Sequence, residues 1–245
     1  MNRTPAHDVR ATLSIPQAFA LAFAQVGDRR VIGLLIKSVL ISLVLAALLA
    51  FALVVALGWT FGAFYGSDVD TQIPWIGTAM VVVLGALGLV AGWLAWRIVA
   101  MAVIQFYADE VVAIVESEHY PALAARDLPL GEQTAMAIKG ALRALIVNLI
   151  ALPFALALFF TAIGPALVFV VVNAFLLGRE LQEMVWARHR HDGATAPLGF
   201  ASRFLLGLAT VGLLAVPFVN FLAPFLSAAA ATHLVHRVAM RQTPR

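Results

Sequence analysis

The chain contains no cysteine. This absence excludes disulfide bonds, thiolate metal sites and cysteine redox chemistry. Charge is also scarce, since only 12% of the 245 residues are Asp, Glu, Lys or Arg, against about 25% in a soluble domain. Hydrophobic residues make up 62% of the chain. One soluble core of this length does not bury so much apolar surface. The composition therefore predicts an integral membrane protein, with residues 1–245 forming a single membrane domain.

Recognisable catalytic motifs are missing as well. The sequence has no phosphate-binding loop, dinucleotide-binding glycine pattern, nucleophile elbow or zinc motif. We therefore predict that the protein is not an enzyme and uses no cofactor. The net charge of +3 and the isoelectric point near 9.8 would suit a nucleic-acid binder. However, the basic residues flank apolar segments, as they do when they set membrane topology, so we predict no nucleic-acid partner.

Four long runs carry no Asp, Glu, Lys or Arg: residues 38–67, 71–96, 144–178 and 204–236. The first two predict transmembrane helices at residues 29–57 and 74–104, the second continuing as an amphipathic cytoplasmic extension to about residue 119. Ahead of them, the pattern Ser-Ile-Pro-Gln at 14–17 is typical of a capped helix start. It predicts a short interfacial helix at residues 14–26.

The last two uncharged runs are interrupted in the middle. Gly164 and Pro165 break the segment 144–178, whereas Pro217, Asn220 and Pro224 break the segment 204–236. Broken apolar segments at related positions are a sequence pointer to a transport site. The alternative is that both segments are kinked but continuous helices.

Lysine and arginine predict the topology. None lies between residues 38 and 96, whereas the N-terminal, central and C-terminal regions and the 179–203 loop are all basic. By the positive-inside rule, both termini are cytoplasmic and the turn near residues 58–73 is outside. Each broken segment must then leave from and return to the cytoplasmic side.

Length predicts how far these broken segments enter the membrane. A two-span hairpin needs about 40 residues plus a turn, but the uncharged runs have only 35 and 33 residues. We therefore predict an all-α integral membrane protein with two long transmembrane helices and two Pro/Gly-broken helical hairpins that enter part-way. Irregular backbone at that depth must be shielded by protein or line a wet cavity. This requirement predicts a homo-oligomer or a pore.

The last hairpin carries a family resemblance. The segment VPFVNFLAP at 216–224, followed by Ala231 and Thr232, resembles the I-P-x-x-N-x-x-x-P…A-T signature of the CysZ family, which is related to eukaryotic etoposide-induced proteins. The segments IGP at 163–165 and LGRE at 177–180 are similar to a second family region, and the resemblance extends over about residues 17–237. It implies two long helices, two hemi-penetrating hairpins and cytoplasmic termini. It also implies an oligomeric sulfate permease of the bacterial inner membrane.

The resemblance implies an anion site before the first long helix. In the family an oxyanion lies at a G-x-R-R-like turn, which maps here to Gly27, Asp28, Arg29 and Arg30. A helix N-terminus offers free N–H groups and arginines add charge-assisted donors. Asp28 stands where the family has an apolar residue, and its carboxylate could cap the helix and compete with an anion. Alternatively, the two arginines anchor the chain at the membrane surface.

Two further groups of candidates follow from the broken segments. The hairpin turns predict a passage lined by Gly164, Pro165, Pro217, Asn220 and Pro224, although Asn220 would equally suit a cap of its own turn. The end of the first hairpin predicts a cytoplasmic mouth, with a gating role or mutual neutralisation as alternatives for its charged residues Arg179, Glu180 and Glu183.

No metal site is expected from the spacing of acids and histidines. The carboxylates at 109, 110, 116 and 118, together with His119, are typical of a solvated helix face. His189 and His191 flank Arg190 in a basic loop, where we expect no zinc site because the cations disfavour a metal and no third ligand is near. His233 and His236 suit an interfacial helix C-terminus, and a pH-sensing role is the alternative.

These observations favour a permease or channel for a small inorganic anion such as sulfate. The partners that we expect are the lipid bilayer, the anion and further copies of the chain. The alternative function is a non-transporting membrane scaffold, or an assembly or lipid-organising protein, built on the same fold.

Overall fold

The computed structural model describes residues 13–25, 27, 29–65, 74–123, 125–190, 195–217 and 219–242. Within these ranges every regular element is helical, which confirms the predicted all-α class. The elements are α1 (Ile15–Gln25), α2 (Arg29–Tyr65), α3 (Pro74–His119), α4 (Leu130–Ala157), α5 (Gly164–Trp186), α6 (Phe200–Ala215), a 3₁₀-helix (Val219–Phe221) and α7 (Ala223–Gln242).

Helix α1 begins at the capping signature. The backbone N–H of Ser14 donates to Oε1 of Gln17 at 3.0 Å, and the backbone N–H of Gln17 donates to the hydroxyl of Ser14 at 3.4 Å. These reciprocal bonds satisfy two amides that a helix start leaves without partners. The helix ends at Gln25, and its position at a membrane surface stays a prediction.

Among the described residues, three stretches of helix are long and apolar enough to cross a membrane: Arg29–Trp59 of α2, Leu130–Ala157 and Gly164–Trp186. Two shorter apolar stretches are Gly85–Leu94 of α3 and Phe200–Ala215. The three longer stretches support a membrane protein by length and composition. The depth and order of insertion stay predictions.

The first broken segment contains two complete helices. Helix α4 begins at Leu130 and helix α5 ends at Trp186, so the pair extends beyond both ends of the uncharged run 144–178. At 1.5 Å per residue, α4 is about 42 Å long and α5 about 35 Å. Length alone therefore does not restrict this hairpin to part-way entry. In the second hairpin, α6 has 16 residues and is only about 24 Å long, short of a full hydrocarbon core of about 30 Å.

The chain forms two compact units. The first contains the described residues up to Val31 and those from Ala108 onward, and the second contains Ile32–Tyr107. In the second unit, the middle parts of α2 and α3 expose many large apolar side chains, Phe51, Trp59 and Leu89 among them. Such exposure is expected where lipid rather than water surrounds a helix.

Helix α7 is the core of the first unit. Its first fourteen residues, 223–236, are all buried. Helices α5 and α6 pack closely through glycines, because a Cβ atom at Gly178 would overlap the carbonyl of Arg203 and one at Gly207 would overlap the carbonyl of Ala174. Small residues thus let two helix backbones approach each other, as in many membrane proteins.

Candidate functional site

The candidate anion site lies where α1 gives way to α2. Gly27 is an exposed turn residue, and Arg29 and Arg30 are the first two residues of α2, both exposed. Asp28 lies outside the described residues. Because the first amides of a helix have no partner within the helix, the start of α2 presents N–H donors beside two guanidinium groups. This is the arrangement that an oxyanion requires, and its occupation by an anion stays a prediction.

A side chain just before this turn is bonded to two histidines. Nε2 of Gln25, the last residue of α1, lies 3.0 Å from Nε2 of His233 on α7. It also lies 3.3 Å from each ring nitrogen of His119 at the end of α3. These contacts connect the end of α1 to the buried helix α7, which limits the freedom of the chain as it enters the candidate site.

The predicted cytoplasmic mouth contains an ion-pair group with one more member than the sequence suggested. Glu183 accepts from Nε of Arg179 at 2.8 Å and from Nη1 of Arg143 at 3.2 Å. Arg143 belongs to α4, so the pair joins α4 to α5. Glu180 is exposed. Mutual neutralisation explains Glu183, whereas a gating role for Arg179, Glu180 and Glu183 stays a prediction.

The turn at Gly164 and Pro165 is held by a threonine. The backbone N–H of Gly164 donates to Oγ1 of Thr161 at 3.0 Å, and that hydroxyl donates to the carbonyl of Leu158 at 2.7 Å. A Cβ atom at Gly164 would collide with both of these residues. The tip itself is apolar, because Phe160 is 94% exposed. A passage role for Gly164 and Pro165 stays a prediction.

The second turn contains a buried polar atom without a partner. The backbone N–H of Asn220 donates to the carbonyl of Val216 at 3.0 Å. Its side-chain Oδ1 is buried and has no hydrogen-bond partner among the described residues. The side chain of Asn220 therefore does not cap its turn through this oxygen. Pro217 is exposed and Pro224 is buried at the start of α7; their role in a passage stays a prediction.

Three residues that the sequence analysis predicted to be solvated or at the membrane interface are buried in the structure. Glu116 is only 6% exposed, whereas the neighbouring Glu118 is exposed as predicted. His233 and His236 are each 1% exposed, in the middle of α7 rather than at its C-terminus. The predictions for Glu116, His233 and His236 were wrong because they used local spacing, and burial is decided by which helices pack together.

Glu116 is the centre of this buried polar cluster. Its Oε1 lies 2.9 Å from Nε2 of His236 and 3.7 Å from Nδ1 of His189. Its Oε2 lies 3.8 Å from Nη2 of Arg188. The expectation that His189 has no further metal-type ligand nearby was therefore wrong. Glu116 and His236 are each more than 45 residues from His189 in the sequence, but they lie close to it in the structure. His191 lies outside the described residues.

Tyr120 links this cluster to the second histidine of α7. Its hydroxyl lies 2.9 Å from Nδ1 of His233, and its ring centroid lies 4.9 Å from that of His236. Burial raises the pKa of Tyr120, and the nearby Arg237 opposes that rise. Tyr120 therefore stays a neutral phenol near neutral pH, able to donate or accept a hydrogen bond.

One sequence signal could have revealed the cluster. Val112, Glu116 and Tyr120 recur at intervals of four residues, and all three are buried. A carboxylate in register with apolar residues on one helix face indicates a buried group that needs a partner. Which histidines would supply that partner could not be read from the sequence.

Comparison with known protein families identifies the family of this chain. The family described as sulfate transporter CysZ/etoposide-induced protein 2.4 matches residues 18–224. The chain belongs to this family. No curated protein sequence matches the chain significantly.

Membership confirms the resemblance noted in the sequence and fits a transporter-type membrane protein. The matched range includes the turn at Gly27, the whole first broken segment and the second as far as Pro224. It ends at Pro224, so His233 and His236 of the buried cluster lie beyond it.

Proposed function

We propose that this member of the CysZ/etoposide-induced protein family is a permease or channel for a small inorganic anion, with sulfate as the first candidate. The observation that carries the proposal is the family match over residues 18–224. It acts in a bacterial inner membrane, with both termini in the cytoplasm and as a homo-oligomer.

The start of α2 supports an anion-binding step. Arg29 and Arg30 are exposed at the N-terminus of a 37-residue helix. There the positive end of the helix dipole adds to the charge of the guanidinium groups. Arginine also offers paired N–H donors that match two oxygens of an oxyanion, whereas lysine offers a point charge. A sulfate ion would bind this turn before entering the protein.

The two hairpins would form the route itself. Their turns contain Gly164, Pro165, Pro217, Asn220 and Pro224, and the buried Oδ1 of Asn220 has no partner among the described residues. An unsatisfied polar atom in an apolar protein costs about 1–3 kcal/mol. A water molecule in the route would donate to this oxygen and offset that cost, whereas sulfate, which only accepts hydrogen bonds, would not. The ion pairs of Arg179 and Glu183 lie at the other end of α5 and would flank the mouth.

The test is uptake of radiolabelled sulfate into liposomes that contain the purified protein. The wild type is compared with Arg29→Ala/Arg30→Ala and with Arg29→Lys/Arg30→Lys. The lysine variant keeps the positive charge that sets topology but loses the paired donors. We expect saturable flux in the wild type, a loss of at least about tenfold in the alanine variant, and a clear loss in the lysine variant.

A matched control removes the same charge elsewhere. Lys139→Ala/Arg190→Ala takes away two positive charges from exposed positions and should leave flux unchanged. Full activity of the lysine variant would mean that Arg29 and Arg30 only anchor the chain. Wild-type flux no higher than in empty liposomes, for sulfate and other small anions alike, would contradict transport and favour the scaffold function.

A further inference from the structure

We propose that Glu116, His189 and His236 form a binding site for a divalent transition metal of the zinc class. The three side chains come from α3, from the turn that follows α5 and from α7. One potential ligand atom from each lies within 4.8 Å of the other two. This proposal concerns a site separate from Arg29 and Arg30 and does not depend on the proposed function.

The distances are close to those of a bound ion. Zinc binds imidazole nitrogen at about 2.0–2.1 Å and carboxylate oxygen at about 2.0–2.2 Å, so tetrahedral ligand atoms lie about 3.4 Å apart. Here Oε1 of Glu116 lies 2.9 Å from Nε2 of His236, and the rings of His189 and His236 have centroids 4.6 Å apart at 83°. Small side-chain adjustments would therefore admit an ion.

His189 has the arrangement of a metal ligand with a supporting bond. Its Nδ1 lies 3.1 Å from the carbonyl of Val185 and donates to it. This leaves the lone pair on Nε2, which is buried and has no hydrogen-bond partner among the described residues. The ring nitrogen that lies 3.7 Å from Oε1 of Glu116 is Nδ1, so metal binding requires a shift of the His189 ring that turns Nε2 toward Glu116. Metal-bound histidines commonly donate their other N–H to a backbone carbonyl in this way. An ion would satisfy the buried nitrogen.

The chemical state of the ligands also suits a metal. Metals bind the neutral imidazole, and the bond from Nδ1 of His189 to the carbonyl of Val185 is one that this form can make. The proton that Nε2 of His236 shares with Glu116 would be released to solvent as the ion replaces it. Two histidines and one carboxylate are a common zinc ligand set, with the fourth position left to water.

A neighbouring cation limits the affinity. Nη2 of Arg188 lies 3.8 Å from Oε2 of Glu116, whereas the two histidines lie nearest Oε1. The charge of Arg188 repels a metal ion, and we expect binding weaker than at a site without an arginine. Only 8% of the Glu116 and His189 side chains and 1% of His236 are exposed. An ion held by these three side chains would join three segments of the chain.

The test measures zinc binding to tag-free protein in detergent after removal of metals with a chelator. We expect about one zinc ion per chain in the wild type and a rise in thermal stability when zinc is added. His189→Ala and His236→Ala should weaken binding by at least about tenfold, because even the loss of a group that only supports a ligand costs about 10–100-fold. His119→Ala is the matched control, because His119 is exposed and lies outside the cluster; it should bind as the wild type does.

A second measurement needs no variant that could misfold. Cobalt(II) added to the stripped wild-type protein should give an intense visible absorption band, as expected for four-coordinate nitrogen and oxygen ligands. Zinc should then abolish the band by displacement. A wild-type protein that takes up neither zinc nor cobalt would overturn the proposal, as would equal loss of binding in His119→Ala and His189→Ala. Sulfate flux is not a readout here, so failure of transport would leave the metal result intact.

Discussion

Helices α4 and α7 show opposite relations between apolar character and burial. Helix α4 has 28 residues, is strongly apolar and has none of them buried. Helix α7 is much less apolar, yet its residues 223–236 are all buried, including Ser227, Thr232 and two histidines. In a soluble protein the more apolar helix would be inside. The difference is expected of a membrane protein, in which large apolar side chains face outward while small and polar ones pack inside.

The largest effect is expected where helix backbones meet. A Cβ atom at Gly207 would overlap the carbonyl of Ala174 on α5, so Gly207→Ala must separate α5 from α6. We expect a loss of about 3 kcal/mol in the free energy of unfolding, the upper range for overpacking. Thermal unfolding in detergent measures the change.

Gly212→Ala is its matched control on the same helix. Nothing lies within 4 Å of a Cβ atom at Gly212, and alanine favours helix by about 1 kcal/mol over glycine. This variant should be as stable as the wild type or slightly more stable. Equal melting temperatures for the two variants would contradict the close packing of α5 on α6.

The second prediction compares α7 with α4 directly. Ala230 is fully buried on α7, whereas Ala141 is exposed on α4. Ala230→Val adds two carbons to a packed interior and should destabilise the protein by about 2 kcal/mol. Ala141→Val carries the same small loss of helix propensity at an exposed position, so its melting temperature should change little. If both variants melt alike, α7 is not the core of its unit.

A smaller effect is expected at a buried hydroxyl pair. Oγ1 of Thr210 on α6 lies 2.9 Å from Oγ of Ser227 on α7. Polar bonds between helices in membranes contribute about 0.6 kcal/mol on average, so Ser227→Ala should cost about that much. The hydroxyl of Thr134 bonds only within exposed α4, to the carbonyl of Leu130, and Thr134→Val should have no measurable effect. A greater loss of stability in Thr134→Val than in Ser227→Ala would contradict the conclusion that α7 is buried and α4 exposed.

The smallest effect is expected at an exposed ion pair. Nη2 of Arg126 lies 2.6 Å from Oε1 of Glu132, and the two side chains are 43% and 26% exposed. Exposed pairs of this kind contribute little to stability and are screened by salt. Arg126→Gln should therefore lower the melting temperature by a degree or two at low ionic strength. The difference from the wild type should vanish in concentrated salt; a loss that persists there would indicate a structural role beyond charge.

Much of the class and outline of this protein follows from local sequence. The uncharged runs predicted the helices, the glycine and proline at 164–165 predicted a helix boundary, and the proline-rich segment 216–224 indicated the family that residues 18–224 match. The Ser-Ile-Pro-Gln pattern also predicted the capping bonds that begin α1. Helix ends, apolar runs and turns depend on neighbours within a few residues, so they can be read along the chain.

Only the tertiary structure decided which polar groups meet. Glu116 and His236 are 120 positions apart, yet their side chains lie 2.9 Å from each other. Glu183 is joined to Arg143 of another helix, and the contact of Gly178 with α6 depends on how α5 and α6 cross. The spacing of a histidine along the sequence does not distinguish a solvated histidine from a buried one. Its environment is set by side chains from distant segments, which only packing brings together.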